Sequence, residues 1–196
     1  METLGSIGLG IGLSAACGFR VFVPLLITSI MGMTGWLPVS LEGTRWIATW
    51  PALLTFATAT LLEILGYLIP WLDHLLDSIA TPAAVVAGVL VSASTMVDLP
   101  PLLRWAIALI GGGGIAGAIQ GVTVLARAKS TTVTGGAANH VLAIGELAGS
   151  IVTSIGAILF PVVALVLIVI GVFVLYRIRR RFRLRHERSR ISHNYH

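Results

Sequence analysis

Apolar residues fall in long runs placed almost back to back along this chain. The first extends from about Leu4 to Met33 and is broken in character by Gly18, Arg20 and Pro24; the second extends from about Trp46 to Trp71, and the third from about Ile79 to Val97. A polar turn at Asp98, Pro100 and Pro101 precedes a fourth run from about Leu102 to Ala128, a fifth from about Ala137 to Leu159, and a sixth from about Pro161 to Tyr176. A hydrocarbon core of roughly 30 Å takes about 20 apolar residues per crossing helix. The pattern therefore predicts an all-α polytopic membrane helix bundle of about six transmembrane spans over residues 1–176, with a basic tail over 177–196.

Composition agrees with lipid as the main solvent: 56% of the 196 residues are hydrophobic and 11% are charged. The net charge of +5 comes from the tail, where eight of the 13 Lys and Arg residues lie between Arg177 and Arg190; the rest of the chain is acidic on balance. An arginine cluster directly after an apolar run reads as a positive-inside anchor, with Arg177, Arg179, Arg180 and Arg181 facing anionic lipid heads rather than nucleic acid. Arg127 and Lys129, between the fourth and fifth spans, share that side; Arg45 and Arg104 fall on the other. The bias predicts cytoplasmic N- and C-termini in a bacterial inner membrane. Cys17 is the one cysteine, so neither an intrachain disulfide nor a CxxC metal site can form, and the segment before it lacks the cationic start of a signal peptide.

An internal repeat is legible. Gly8, Gly10, Ser14 and Gly18 have the same spacing as Gly111, Gly113, Gly117 and Gly121, and Glu63 with Gly66 matches Glu146 with Gly149. Each half, about 1–98 and 99–176, then holds three spans. An odd number of crossings per half makes the repeats inverted, an arrangement that places sites at the repeat interface near the bilayer middle.

The small residues Gly10, Ser14 and Gly18, and their counterparts Gly113, Gly117 and Gly121, lie four apart on one helix face and predict close helix packing. The alternative is that the run Gly111 to Gly114 loosens its helix into a break lining a cavity. Glu63 and Glu146 are the two acids deep within apolar spans, where a carboxylate costs several kcal/mol unless compensated. Ser150 and Thr153 share the Glu146 face. These acids either bind a cation or exchange protons, or act as polar glue between helices. Arg20 forms an internal ion pair, contacts an anionic ligand or snorkels to the interface. The RAKSTTVTGGAANH segment, Arg127 to His140, reads as a plain cytoplasmic loop or a re-entrant one, with Asn139 among its candidate ligands. Asp73, His74 and Asp77 form a weak metal-like trio better explained as an exposed turn, and no catalytic spacing is present.

Through GLSAACGFRVFVPLL, IPWLDHLLDSIATPAAVVAG and the Asn139 to Glu146 segment, the chain resembles a prokaryotic multi-pass membrane family catalogued as domain of unknown function 4126. The resemblance covers most of the chain. It rests on Gly18, Phe19, Arg20 and Pro24, on Pro70 to Asp73, and on Glu146. The family pattern often has two adjacent late acids and a proline after the asparagine, where this chain has Gly145 before Glu146 and His140 after Asn139. The resemblance implies the topology and no activity.

Taken together, these features predict a transporter or channel-like protein with Glu63, Glu146 and Arg20 at a central site. The rival reading is a non-transporting membrane subunit or scaffold that packs against partner helices. No enzyme activity, cofactor, metal or nucleic-acid partner is expected; the partners expected are the bilayer, anionic lipid heads at the tail and further copies of the chain.

Overall fold

The computed structural model describes residues 2–37, 43–67, 70–171, 173 and 177, with the side chains of all of these except 2 and 70–77. Among them every regular element is helical: α1 (Glu2–Phe19), α2 (Phe22–Met33), α3 (Trp50–Gly66), α4 (Pro70–Thr95), α5 (Pro101–Ile107), a π-helical turn (Ala108–Gly113), α6 (Gly114–Thr134), α7 (Asn139–Leu159) and α8 (Pro161–Gly171). Three helical stretches are long and apolar enough to cross a membrane: Ser78–Thr95, Pro101–Thr134 and Asn139–Leu159. Thr3–Phe19, α2, α3 and α8 are apolar but shorter. The chain divides into two compact units, Met1–Leu165 and Val166–His196. In the second, the apolar side chains Val166, Leu167, Val169, Ile170 and Phe173 are exposed, as is Arg177. Arg179, Arg180 and Arg181 lie outside the described residues, as do the side chains of Asp73, His74 and Asp77.

In the first unit, α1 is the central helix. It packs against α4, α6 and α7, with Leu9, Leu13, Ala16 and Cys17 wholly buried. Five glycines in 18 residues would weaken a helix in water. In lipid the backbone groups have no competing water, so the helix persists, and the missing side chains let its neighbours close in. A Cβ at Gly12 would stand 2.5 Å from that of Ala157, and one at Gly18 2.6 Å from the Ala116 carbonyl oxygen. At Gly10 it would meet the Thr95 side chain and Ser92. Ser14 donates from Oγ to the Gly88 carbonyl oxygen of α4, 2.7 Å away, and the same part of α4 receives Gly112.

The second glycine series behaves less uniformly than its spacing predicts. Gly113 and Gly117 face Val89 and Val85 of α4, with hypothetical Cβ distances of 2.8 and 3.0 Å, but Gly121 has open space around it. The expected packing role fails at Gly121 because no neighbouring atom comes within 4 Å of where its Cβ would stand. Gly18→Ala is therefore expected to destabilise by about 1–3 kcal/mol, whereas Gly121→Ala should be neutral or stabilising by up to about 1 kcal/mol. Thermal midpoints in detergent, read through labelling of the buried Cys17 thiol, check the contrast.

Several boundaries differ from the apolar pattern. The first run is two helices, parted at Arg20 and Val21; Pro24 falls in the opening turn of α2, where its missing N–H breaks no hydrogen bond. The helix that carries the third run, α4, starts at Pro70, ahead of its apolar part. The run Gly111 to Gly114 does not break its helix: a π turn carries the backbone through, since the wider turn still satisfies the amides. The Arg127 to His140 segment is not a loop. α6 continues to Thr134, and the turn is confined to 135–138, where Gly135 (φ 63°) and Gly136 (φ 91°) take the left-handed conformation that ends the helix.

Candidate functional site

Where α1 ends, Arg20 leaves the helix and α2 begins with backbone amides that no preceding carbonyl can accept. Glu63 of α3 supplies the acceptors: Val21 N–H donates to Oε1 at 2.9 Å and Phe22 N–H to Oε2 at 3.2 Å. A carboxylate at a helix N-terminus is also favoured by the helix dipole. Glu63 is 7% exposed, so the interaction is made away from solvent.

The other acid has a different partner. Arg127 of α6 donates from Nε to Glu146 Oε1 at 2.9 Å and from Nη2 to Oε2, a two-point pairing across α6 and α7. Arg127 is 3% and Glu146 8% exposed. Arg20, at 2%, approaches from the α1 side, its Nη2 donating to the Ala143 carbonyl oxygen at 3.1 Å and lying 3.7 Å from Glu146 Oε2. Arg20 therefore forms the internal ion pair; it does not snorkel, because the break after α1 turns it inward.

Tyr67, one turn beyond Glu63, joins the two halves of this cluster. The guanidinium carbons of Arg20 and Arg127 each lie 3.9 Å from its ring centroid. The π electrons of the ring attract both cations and offset part of their mutual repulsion. Two arginines and two glutamates thus form a buried set with no net formal charge, centred on one tyrosine.

Its position follows from helix geometry. Arg127 lies seven residues before the end of α6 and Glu146 seven after the start of α7. At 1.5 Å per residue the pair sits about 10 Å along the helices from the turn that joins them. Between pair and turn, Asn139 Nδ2 donates to Thr131 Oγ1 at 3.1 Å, a second polar tie between α6 and α7.

Of the residues singled out in the sequence, Glu63, Glu146 and Arg20 come together. Ser150 lies one turn further along α7, where it donates to the Ala16 carbonyl oxygen at 3.1 Å and so fastens α7 to α1. Thr153 is half-buried, and Asn139 is at the turn end of α7. Arg127 had been placed among the extramembrane charges that set orientation; its burial against Glu146 overturns that, because α6 runs on through it. Tyr67 was not singled out at all. The signal for Arg127 was the absence of any glycine or proline from Val122 to Thr134, which the run of serine and threonine concealed.

Within the cluster, unused hydrogen-bonding capacity falls on Arg20. Among the described residues, Arg20 Nε and Nη1 have no acceptor, and neither has the buried Oγ1 of Thr60, one turn before Glu63 on α3. A buried donor left unpaired costs about 1–3 kcal/mol, more when charged. No group of three or more His, Cys, Asp or Glu side chains able to hold a metal occurs among the described residues.

The family model described as domain of unknown function (DUF4126) matches residues 7–181. The chain belongs to this family. The match includes α2 to α8 and all five cluster residues, so the DUF4126 region is the apolar helical body itself. No curated protein and no solved structure matches the chain.

Proposed function

We propose that this DUF4126 protein is a transporter or channel-like protein of the bacterial inner membrane for a small solute or ion, built from two inverted three-span repeats. The observation that carries the reading is the buried four-charge cluster, which draws Arg20, Glu63 and Tyr67 from the first half of the chain and Arg127 and Glu146 from the second. Charged groups within apolar helices are costly and mark solute pathways. Each carboxylate engages a segment of its own half, Glu63 the backbone amides of Val21 and Phe22 and Glu146 the Arg127 guanidinium. The helix break at Arg20 supports the transporter reading further, since transporter sites use discontinuous helices whose exposed backbone lines the site. The arginine-rich tail supports cytoplasmic termini.

Reconstitution of the full chain into vesicles tests the reading, with phosphate, acetate and sodium ions as probes. Uptake above that of protein-free vesicles is expected for at least one probe, with a loss of about tenfold or more, equivalent to 1.4 kcal/mol, in Glu63→Gln and Glu146→Gln. Uptake no faster than in empty vesicles for every probe, or equal in both variants and wild type, would overturn it.

A further inference from the structure

The cluster holds buried donors with no partner, both on Arg20, and these point to the chemistry of its ligand. Each oxygen of Glu63 accepts one backbone N–H. Both oxygens of Glu146 are taken by Arg127, and Arg20 stands beside the second. Both carboxylates are thus already engaged by donors. Of the five N–H bonds of the Arg20 guanidinium, by contrast, the three on Nε and Nη1 point at no acceptor. The Tyr67 ring centroid lies 3.9 Å from the Arg20 guanidinium carbon and the Ala143 carbonyl accepts from its Nη2, which leaves Nε and Nη1 as buried donors without a partner.

We propose that the unused Nε and Nη1 donors of Arg20 form a binding site for an oxyanion, a carboxylate or phosphate group that enters the cluster between α1, α3 and α7. This deepens the transporter reading by naming its substrate class, and rests on it for the step of movement across the membrane. Buried charge requires compensation, and here the four side chains already balance. A bound anion adds negative charge to a formally neutral set, so its binding rests on the unpaired Arg20 donors rather than on net charge. Thr60 offers a hydroxyl from the neighbouring turn of α3, and hydroxyls donate to carboxylate and phosphate oxygens as readily as amides do. The distance of about 10 Å from the α6–α7 turn allows two sources of the same chemistry, a free solute anion or the phosphate of a lipid head group.

The full chain in neutral detergent, with Cys17 labelling as the thermal readout, is titrated with sodium phosphate and sodium acetate at constant sodium concentration. A parallel arm compares bilayer discs of zwitterionic lipid with discs containing anionic phosphatidylglycerol. The expected result is a saturable rise in midpoint with at least one soluble anion or with the anionic lipid, and an apparent Kd weakened about tenfold or more in Arg20→Lys, which keeps the charge but loses the planar donors. Thr60→Val, which leaves all four charges in place, should weaken binding by a smaller factor. A soluble-anion response assigns the site to a solute, and a response confined to anionic discs assigns it to lipid phosphate. A midpoint that responds to none of these, or responds equally in Arg20→Lys, overturns the proposal, as does a saturable response to sodium at constant anion concentration. Arg20-dependent binding without vesicle uptake would sink the transporter reading and leave the oxyanion site standing; sodium uptake without anion binding would do the reverse.

Discussion

Arg127→Met is expected to lower the stability of the detergent-solubilised protein by about 3–5 kcal/mol, the cost of leaving a buried carboxylate without its partner. Glu146 then keeps only Arg20 Nη2, 3.7 Å from one oxygen, and Tyr67 loses one of its two neighbouring cations. The double variant Arg127→Met with Glu146→Met removes both charges and should recover most of the loss, because a buried ion pair replaced by apolar groups of similar volume is close to neutral. Denaturant or thermal titration read through Cys17, which is wholly buried, measures both variants. A single variant as stable as wild type would mean that the pair is wetted or that Glu146 is already neutral. A double variant no better than the single would mean that the side chains matter for shape rather than charge.

Glu63→Gln is the second large effect. The amide offers one acceptor oxygen to two backbone donors, so either Val21 or Phe22 loses its partner, and the cluster is left with an uncompensated positive charge. Hydrogen bonds to charged groups contribute about 1.5–3 kcal/mol, and a loss of about 2–3 kcal/mol is expected. The damage should be local. Hydrogen exchange at Val21 and Phe22 should rise while exchange in α4 stays slow, and Cys17, three residues before Arg20, should become reactive below the global unfolding temperature. Uniform acceleration across the protein would show that Glu63 supports the bundle as a whole and is not specifically the cap of α2.

Much of the fold was legible from hydropathy. The apolar runs located the helical stretches but merged α1 with α2, missed the first turns of α4 and stopped short of the end of α6, while the two buried acids and Arg20 need partners and have them. Where the reading failed, local composition had masked a tertiary requirement. Ser130, Thr131, Thr132 and Thr134 lower helix propensity in water, so the stretch after Arg127 looked like a loop. In the bundle Thr131 and Thr134 return their hydroxyls to backbone carbonyls one turn earlier, and the helix continues. Gly121 matched a spacing, but spacing cannot report how far away the neighbouring helix is.

The sequence by itself determined that this chain is a bundle of apolar helices with a few charges it cannot leave unpaired, because the cost of a lone charge in lipid is a property of the residue and its apolar neighbours. Only the tertiary structure decided who pairs with whom. Arg127 with Glu146, Glu63 with the start of α2, and Tyr67 between two guanidiniums are contacts between segments 19 to 60 residues apart. Such pairings depend on where helices stop and how closely they approach, which is set by packing around α1 and leaves no periodic mark along the chain.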